Sequence, residues 1–392
     1  MPSTYITQPT TLNAPTLHRL SNGLTIIAEQ LPVEAVNLSL WLGIGSAIET
    51  DEINGMAHFL EHMIFKGTDR LESGEFEQRI EQRGAITNAA TSQDYTNYYI
   101  TTAPQDFAEL APLQMEVVLN AAIPDAAFER ERLVVLEEIR RSEDSPRRRT
   151  YYRSMEAAFD RLPYRRQVLG PASVIENLSP QQMRDFHATW YRPQSITASV
   201  VGNLPVEELI EIVANGMASA QLGEAKSTEA YKPVFPVATP EPAFTTIRRY
   251  EYDDDTLQQA RLEERGLVSG ISVSNMTYAH QGLFYISAHL PAENLDTVEA
   301  AIIQHIQTIQ TEPIAESEIE RVRTIVANRY VFGNETPSDR ASLYGYYQAV
   351  LGDLAPAFNY PAQIRAIDAA QLQTAAQQYL SPDSYRVVTL KP

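Results

Sequence analysis

Two histidines and a glutamate stand close together in the run G-M-A-H-F-L-E-H-M-I-F-K-G-T, residues 55–68. Met56, Ala57, Phe59, Leu60, Met63, Ile64 and Phe65 make the segment mostly apolar, so it reads as a buried helix. Residues four apart on a helix lie one above the other, which puts His58 and His62 on one face. Glu61, three residues from His58, falls within the same arc of roughly 100°. Two imidazoles at that spacing can close on one tetrahedral zinc, and the carboxylate between them can act on the water that the metal binds. The competing explanation is a pair of ordinary core histidines. Chance placement of this pattern in a chain of this composition has odds of about 1 in 100. Burying two imidazoles and a carboxylate without a metal also leaves each polar group in need of its own partner.

Zinc needs a third protein ligand, and the chain has no cysteine to supply one. A carboxylate from another helix is the natural source, and residues 126–141, A-A-F-E-R-E-R-L-V-V-L-E-E-I-R-R, offer several. Glu131 and Glu138 are seven apart and share a helical stripe with Val134 and Val135 between them, a stripe expected to face inward. Glu137 lies about 100° away and is expected to pair outside with Arg140 or Arg141. Glu138 is thus the preferred ligand and Glu131 a second carboxylate near the site. Either one alone would read as solvated surface; the upstream motif is what lifts Glu138.

The elements that must position these groups are legible in outline. The chain has 392 residues, 44% hydrophobic and 21% charged, enough for two domains with a large combined core. No apolar run approaches the 18 or so residues needed to cross a bilayer. A net charge of −19 weighs against nucleic acid and anionic membranes, and fits neutral or cationic peptides as well as it fits a solvated acidic surface. The N-terminus shows neither a basic nor an apolar leader region, and with no cysteine the expected location is cytoplasmic. Residues 1–15 read as an arm. Strands are expected at 24–29, after the Asn22-Gly23 turn, and at 37–42. A helix at 74–83 stops at Gly84, and residues 85–101 form two strands around a turn near Ser92-Gln93-Asp94. Helices at 106–122, 125–142 and 180–190 follow, with Arg147-Arg148-Arg149 as a basic loop or helix start, and then a strand at 196–201. The pattern-poor stretch 223–242 is the linker between a domain of residues 1–222 and one of residues 243–392.

The second part of the chain partly repeats the first. Residues 80–84, I-E-Q-R-G, recur as 262–266, L-E-E-R-G, and residues 175–193 resemble 364–382. The strand at 245–250 resembles 25–30 at an offset near 220, but the offset then falls to 182. About 39 residues, a strand and the counterpart of the histidine helix, therefore have no equivalent after Glu251. The fold class expected is α+β, with two homologous domains of mainly antiparallel sheet and helices, the second shortened and without a metal site of its own.

H-F-L-E-H-M-I-F-K-G-T, G-A-I-T-N-A-A-T-S and E-R-L-V-V-L-E-E-I-R-R-S-E-D-S-P together resemble the M16 zinc peptidases, the pitrilysin and mitochondrial processing peptidase family. The family has a glutamate about 76 residues after H-x-x-E-H, as Glu138 lies after His62, with Glu131 seven before it. The resemblance implies one zinc per chain on His58, His62 and Glu138, with Glu61 as general base. It implies that the edge strand at Asn88, Ala89 and Ala90 pairs with an extended peptide substrate. The family's R-x6-Y element matches Arg340 and Tyr347, donors to the substrate carbonyl and oxyanion, although Tyr344 and Tyr346 beside them could take the tyrosine's role. Family members of double length close a chamber from four halves, so a chain of this size is expected to work as a homodimer or with a paralogous subunit. The function implied is zinc-dependent endopeptidase. The rival is a non-catalytic subunit kept for assembly; such subunits lose part of H-x-x-E-H, and nothing is lost here.

Overall fold

The structure, a computed structural model, describes residues 14–221, 239–253 and 266–391. The first half runs β1 (Thr16–Arg19), β2 (Thr25–Gln30), β3 (Val36–Leu42), α1 (Met56–Ile64), α2 (Glu75–Gln82), β4 (Ile86–Thr91), β5 (Thr96–Thr102) and α3 (Pro104–Asn120). It continues with α4 (Asp125–Glu143), α5 (Pro146–Ala158), α6 (Ala172–Ile175), α7 (Pro180–Trp190), β6 (Ile196–Gly202) and α8 (Val206–Ala220). Its six strands make one sheet in the order β1-β2-β6-β3-β5-β4. Only β2 and β6 pair in parallel; every other pairing is antiparallel, as expected of the class. The short edge strand β1 was not anticipated. The expected N-terminal arm lies almost wholly outside the described residues.

The central strands are covered on both faces, which is why they read as continuous apolar runs rather than alternating ones. Neighbouring residues on β2 and β6 divide between those faces. Ile26, Ala28, Leu38, Leu40 and Val200 join α1, α3 and α8 in the main core. Ile27 and Val201 point the other way, against Ala341 and Tyr344 from the second half. That second contact requires a glycine. A Cβ on Gly345 would lie 2.1 Å from Cδ1 of Trp41 on β3, so only a residue without a side chain lets the helix lie this close.

The second half comprises β7 (Arg248–Asp253), β8 (Gly270–Met276), β9 (Leu283–His289), α9 (Leu295–Thr311), α10 (Glu316–Phe332), α11 (Pro337–Tyr346), α12 (Ala355–Ala366), α13 (Ala369–Tyr379) and β10 (Arg386–Lys391). β7 begins at Arg248 rather than Thr245, in register with Arg386 of β10. Of the expected linker, residues 223–238 lie outside the described residues and 239–242 have no regular structure. The 262–265 part of the repeat also lies outside them. The strands of this half form two separate two-stranded sheets, β10-β7 and β8-β9. The core is thin: α9, α10 and α13 each bury a single residue, Val298, Ile319 and Ala376.

Candidate metal centre

The histidine helix is fixed at its start. Gly55 precedes α1 with φ of 97°, and a Cβ there would sit 2.6 Å from the Leu169 carbonyl oxygen, so glycine is demanded twice. The buried carboxylate of Glu49 accepts from the N–H of Gly55 at 2.8 Å, the N–H of Ala57 at 2.7 Å and the Asn54 amide at 2.9 Å. It thereby satisfies donors that a helix N-terminus leaves unpaired. Burial pushes the Glu49 carboxyl up to about 7, against the pull of those hydrogen bonds. Glu49 escaped the sequence reading because it caps from well upstream of the helix, outside the usual capping spacing.

α4 is held beside α1 by the stacked rings of Phe59 and Phe128, 4.5 Å apart, and is tied to the end of α6 and the turn after it by Arg132, which donates to the carbonyls of Ile175, Glu176 and Leu178. This sets the helical phase that brings His58, His62 and Glu138 together, with one ligand atom from each within 4.8 Å of the others. His58 Nε2 lies 3.5 Å from Glu138 Oε2, and His62 Nε2 lies 3.7 Å from the same oxygen. These separations are too long for good hydrogen bonds. They approach the ligand–ligand edge of about 3.4 Å that zinc bonds of about 2.1 Å give a tetrahedron. The three atoms lie at spacings suited to sharing one ion rather than to hydrogen-bonding one another, and the set fits zinc. Burial, with the charge of His62 second, pushes His58 down to about 3, leaving the neutral imidazole that a metal requires.

The stripe on α4 is narrower than expected. Glu131, Val135 and Glu138 form it; Val135 is buried, but Val134 is 49% exposed. The two valines are about 100° apart, so only one can face the core. Glu137 does point outward and pairs with Arg140 at 2.8 Å and Arg141 at 3.0 Å, which hold its carboxyl down at about 2.

Glu131 lies on the other nitrogen of the second histidine. Its Oε1 is 3.0 Å from His62 Nδ1, and its Oε2 is 2.8 Å from Lys66 Nζ. Burial alone would raise this carboxyl, but the hydrogen bonds from Lys66 and His62 outweigh it and hold it below the usual range. A carboxylate on Nδ1 keeps the proton there and leaves Nε2 free to ligate. Lys66 was not singled out from the sequence, although it stands four residues after His62. Lys66→Met is expected to weaken zinc affinity about tenfold, with Lys66→Arg retaining most of it. Titration of each variant against a competing chelator checks this; equal affinity for Met and wild type would refute the role.

Glu61 is largely buried, which pushes its carboxyl up, and it accepts a hydrogen bond from the Thr91 hydroxyl at the end of β4. β4 is the edge of the six-stranded sheet, pairing with β5 alone. Asn88 and Ala90 are exposed along it, Ala89 leans on the core, and the Ala89 N–H donates to the Asn88 side chain at 2.9 Å.

Arg340 and Tyr347 are not brought to these groups within the chain. Arg340 forms an ion pair with the buried Glu29 carboxylate and donates to the Asn334 carbonyl at 2.9 Å. The Tyr344 hydroxyl donates to the other Glu29 oxygen at 2.7 Å. Tyr344 and Ala341 pack against Ile27 and Val201, on the sheet face opposite the α1 core. Tyr347 starts the π-helical turn after α11 and lines a cleft with Tyr330 and Tyr360.

Comparison with known proteins gives two family matches. The model described as Insulinase (Peptidase family M16) matches residues 25–172. The one described as Peptidase M16 inactive domain matches 177–263 and 253–326, two pieces that overlap at residues 253–263. A probable mitochondrial-processing peptidase subunit beta from Arabidopsis thaliana is 25% identical over 414 residues, covering 95% of this chain and 77% of the relative. The zinc protease PqqE of Helicobacter pylori is 24% identical over 410 residues, covering 95% and 92%. Among solved structures, a protease from Helicobacter pylori superposes with a TM-score of 0.86 at 23% identity, covering 96% of this chain and 99% of that one.

Proposed function

The chain belongs to the M16 peptidase family, and from that premise we propose that it is a zinc-dependent endopeptidase acting on peptides or short unfolded polypeptides. One arrangement carries the reading: His58, His62 and Glu138 converge on a single point, with Glu61 beside them tied to the end of an open edge strand. A zinc ion held there would acidify a water molecule and polarise the scissile carbonyl. The remaining steps fall to side chains. Glu61 takes the proton from the attacking water and delivers it to the amine nitrogen as the C–N bond breaks. Burial makes this carboxylate more basic, and the Thr91 hydroxyl keeps it oriented. An extended substrate adds to β4 along Asn88, Ala89 and Ala90. Because Thr91 closes the same strand, that pairing sets the scissile bond next to the base.

Arg340 is committed to Glu29, so oxyanion stabilisation within one chain does not involve it. Glu138 stays 40% exposed on its side chain, and a second subunit, another copy or a paralogue, would close the chamber over it. Purified protein is expected to hold about one zinc per chain. Chelation should abolish peptide cleavage and stoichiometric zinc should restore it. Cleavage that persists in metal-free protein would overturn the assignment.

A further inference from the structure

Strand β4 depends on its one neighbour and on its turn. It pairs with β5 alone, Thr91 opposite Thr96, and residues 92–95 join the two strands. The Ser92 N–H donates to the Tyr95 carbonyl at 2.8 Å, which leaves Gln93 and Asp94 as a two-residue loop. Hairpin loops of that length favour a positive φ at the first or at both central residues, because such turns match the twist of the strands. Among the described residues other than glycine only Ile123 has a positive φ, so Gln93 and Asp94 make a turn that tends to splay its strands. Contacts from outside the hairpin oppose this. The Ser92 and Gln93 carbonyls accept from the N–H groups of Ser46 and Ala47 at 3.1 and 2.8 Å.

The remaining contacts reach into the second half, and Asp94 gathers them. Its Oδ2 accepts from the N–H of Ala279 at 2.9 Å, in the turn between β8 and β9. Its Oδ1 accepts from the Tyr164 hydroxyl at 3.0 Å, and that hydroxyl accepts in turn from the His280 N–H at 3.1 Å. The rings of Tyr164 and Tyr278 stack 4.3 Å apart, so the fully buried Tyr164 packs on the same turn that Asp94 binds. Beside Asp94, Tyr95 meets Tyr346 of α11 edge-on at 5.7 Å. Burial pushes the Asp94 carboxyl up, and the bonds from Ala279 and Tyr164 only partly offset that, so losing either donor leaves it short of a partner.

The end of β4 that this turn fixes is the end nearest the chemistry. Thr91 is three residues from Asp94, and its hydroxyl donates to Glu61. Asn88, Ala89 and Ala90 precede it on the same strand. We propose that Asp94 is a positioning residue, a latch through which the second half holds the β4–β5 hairpin, and with it Thr91 and the substrate edge, in place. The effect on catalysis rests on the hydrolysis proposed above; the latch itself does not. It also gives the second half a task within its own chain, where Arg340 is committed to Glu29.

The test compares Asp94→Ala with Asp94→Asn in the full chain, purified with its zinc. Asparagine keeps the shape: its carbonyl accepts from the Ala279 N–H and its amide donates to the Tyr164 hydroxyl oxygen. Asp94→Ala is expected to speed hydrogen exchange at least about tenfold at the amides paired between β4 and β5, with those of β2 and β6 unchanged. Peptide kcat/KM should fall about 100-fold, since a small displacement of a positioned group is enough. Zinc affinity against a competing chelator should stay within about twofold, because Asp94 supports none of the proposed ligands. Asp94→Asn should stay within about threefold of wild type in both exchange and kcat/KM. Tyr164→Phe keeps the ring on Tyr278 and removes one donor, so it should loosen the same hairpin and serves where Asp94→Ala does not fold. Unchanged β4 exchange or undiminished kcat/KM in the variant used overturns the proposal, and so does an asparagine variant as impaired as alanine. A wild-type chain that cleaves no peptide, with β4 exchange still faster in Asp94→Ala, overturns the peptidase reading and supports the latch.

Discussion

Glu61→Gln is expected to lower kcat for peptide cleavage by on the order of 10³-fold or more while leaving zinc bound, the size of effect that removing a general base produces. Glutamine has nearly the same shape and keeps an oxygen that can accept from the Thr91 hydroxyl, so α1 and β4 stay where they are. What it loses is the ability to take a proton at neutral pH. The proposed ligand atoms belong to His58, His62 and Glu138, none of which is altered. Substrate binding along β4 is also untouched, so KM should change little while kcat collapses. Zinc content and steady-state kinetics on the same preparation decide it. Full activity in the variant, or loss of metal together with activity, would show that Glu61 does not have this role.

Glu138→Gln should release zinc, weakening its binding by more than the 10–100-fold typical of residues that merely support a ligand. Glu137→Gln should leave affinity within about twofold, because only an exposed pairing with Arg140 and Arg141 is lost. The contrast is sharp because the two residues are adjacent, identical in chemistry and separated only by about 100° of helical phase. Phe59 against Phe128 and the three Arg132 contacts hold that phase. Should Glu137→Gln be the variant that loses zinc, the orientation of α4 described above is wrong.

Much of the candidate metal centre was legible from residue types and spacing. His58, Glu61 and His62 are close in sequence, so helical geometry alone places them on one arc. Glu138 took a second step, the seven-residue stripe shared with Glu131, and that stripe was assigned one valine too many. The supporting contacts were not legible. Thr91 lies 30 residues from Glu61, and Glu131 lies 69 from His62. No periodicity links residues across such distances. Glu29 with Arg340 and Tyr344 is further removed still, spanning more than 300 residues.

From residue types and spacing came the grouping of His58, His62 and Glu138 as candidate metal ligands, the course of most strands and helices, and the change of offset in the repeat after Glu251. These are local or repetitive properties, set by side-chain period and by offsets along one chain. Tertiary structure alone decided what each functional group rests against. It turned Glu131 toward the far nitrogen of His62, tied Glu61 to a sheet edge through Thr91, and bound Arg340 to the buried carboxylate of Glu29 on β2. Among the described residues it also sets the strands of the second half in two separate pairs, β10-β7 and β8-β9. The reason is that sheet pairing and helix docking join residues far apart in sequence, and their partners are chosen by packing that no local pattern records.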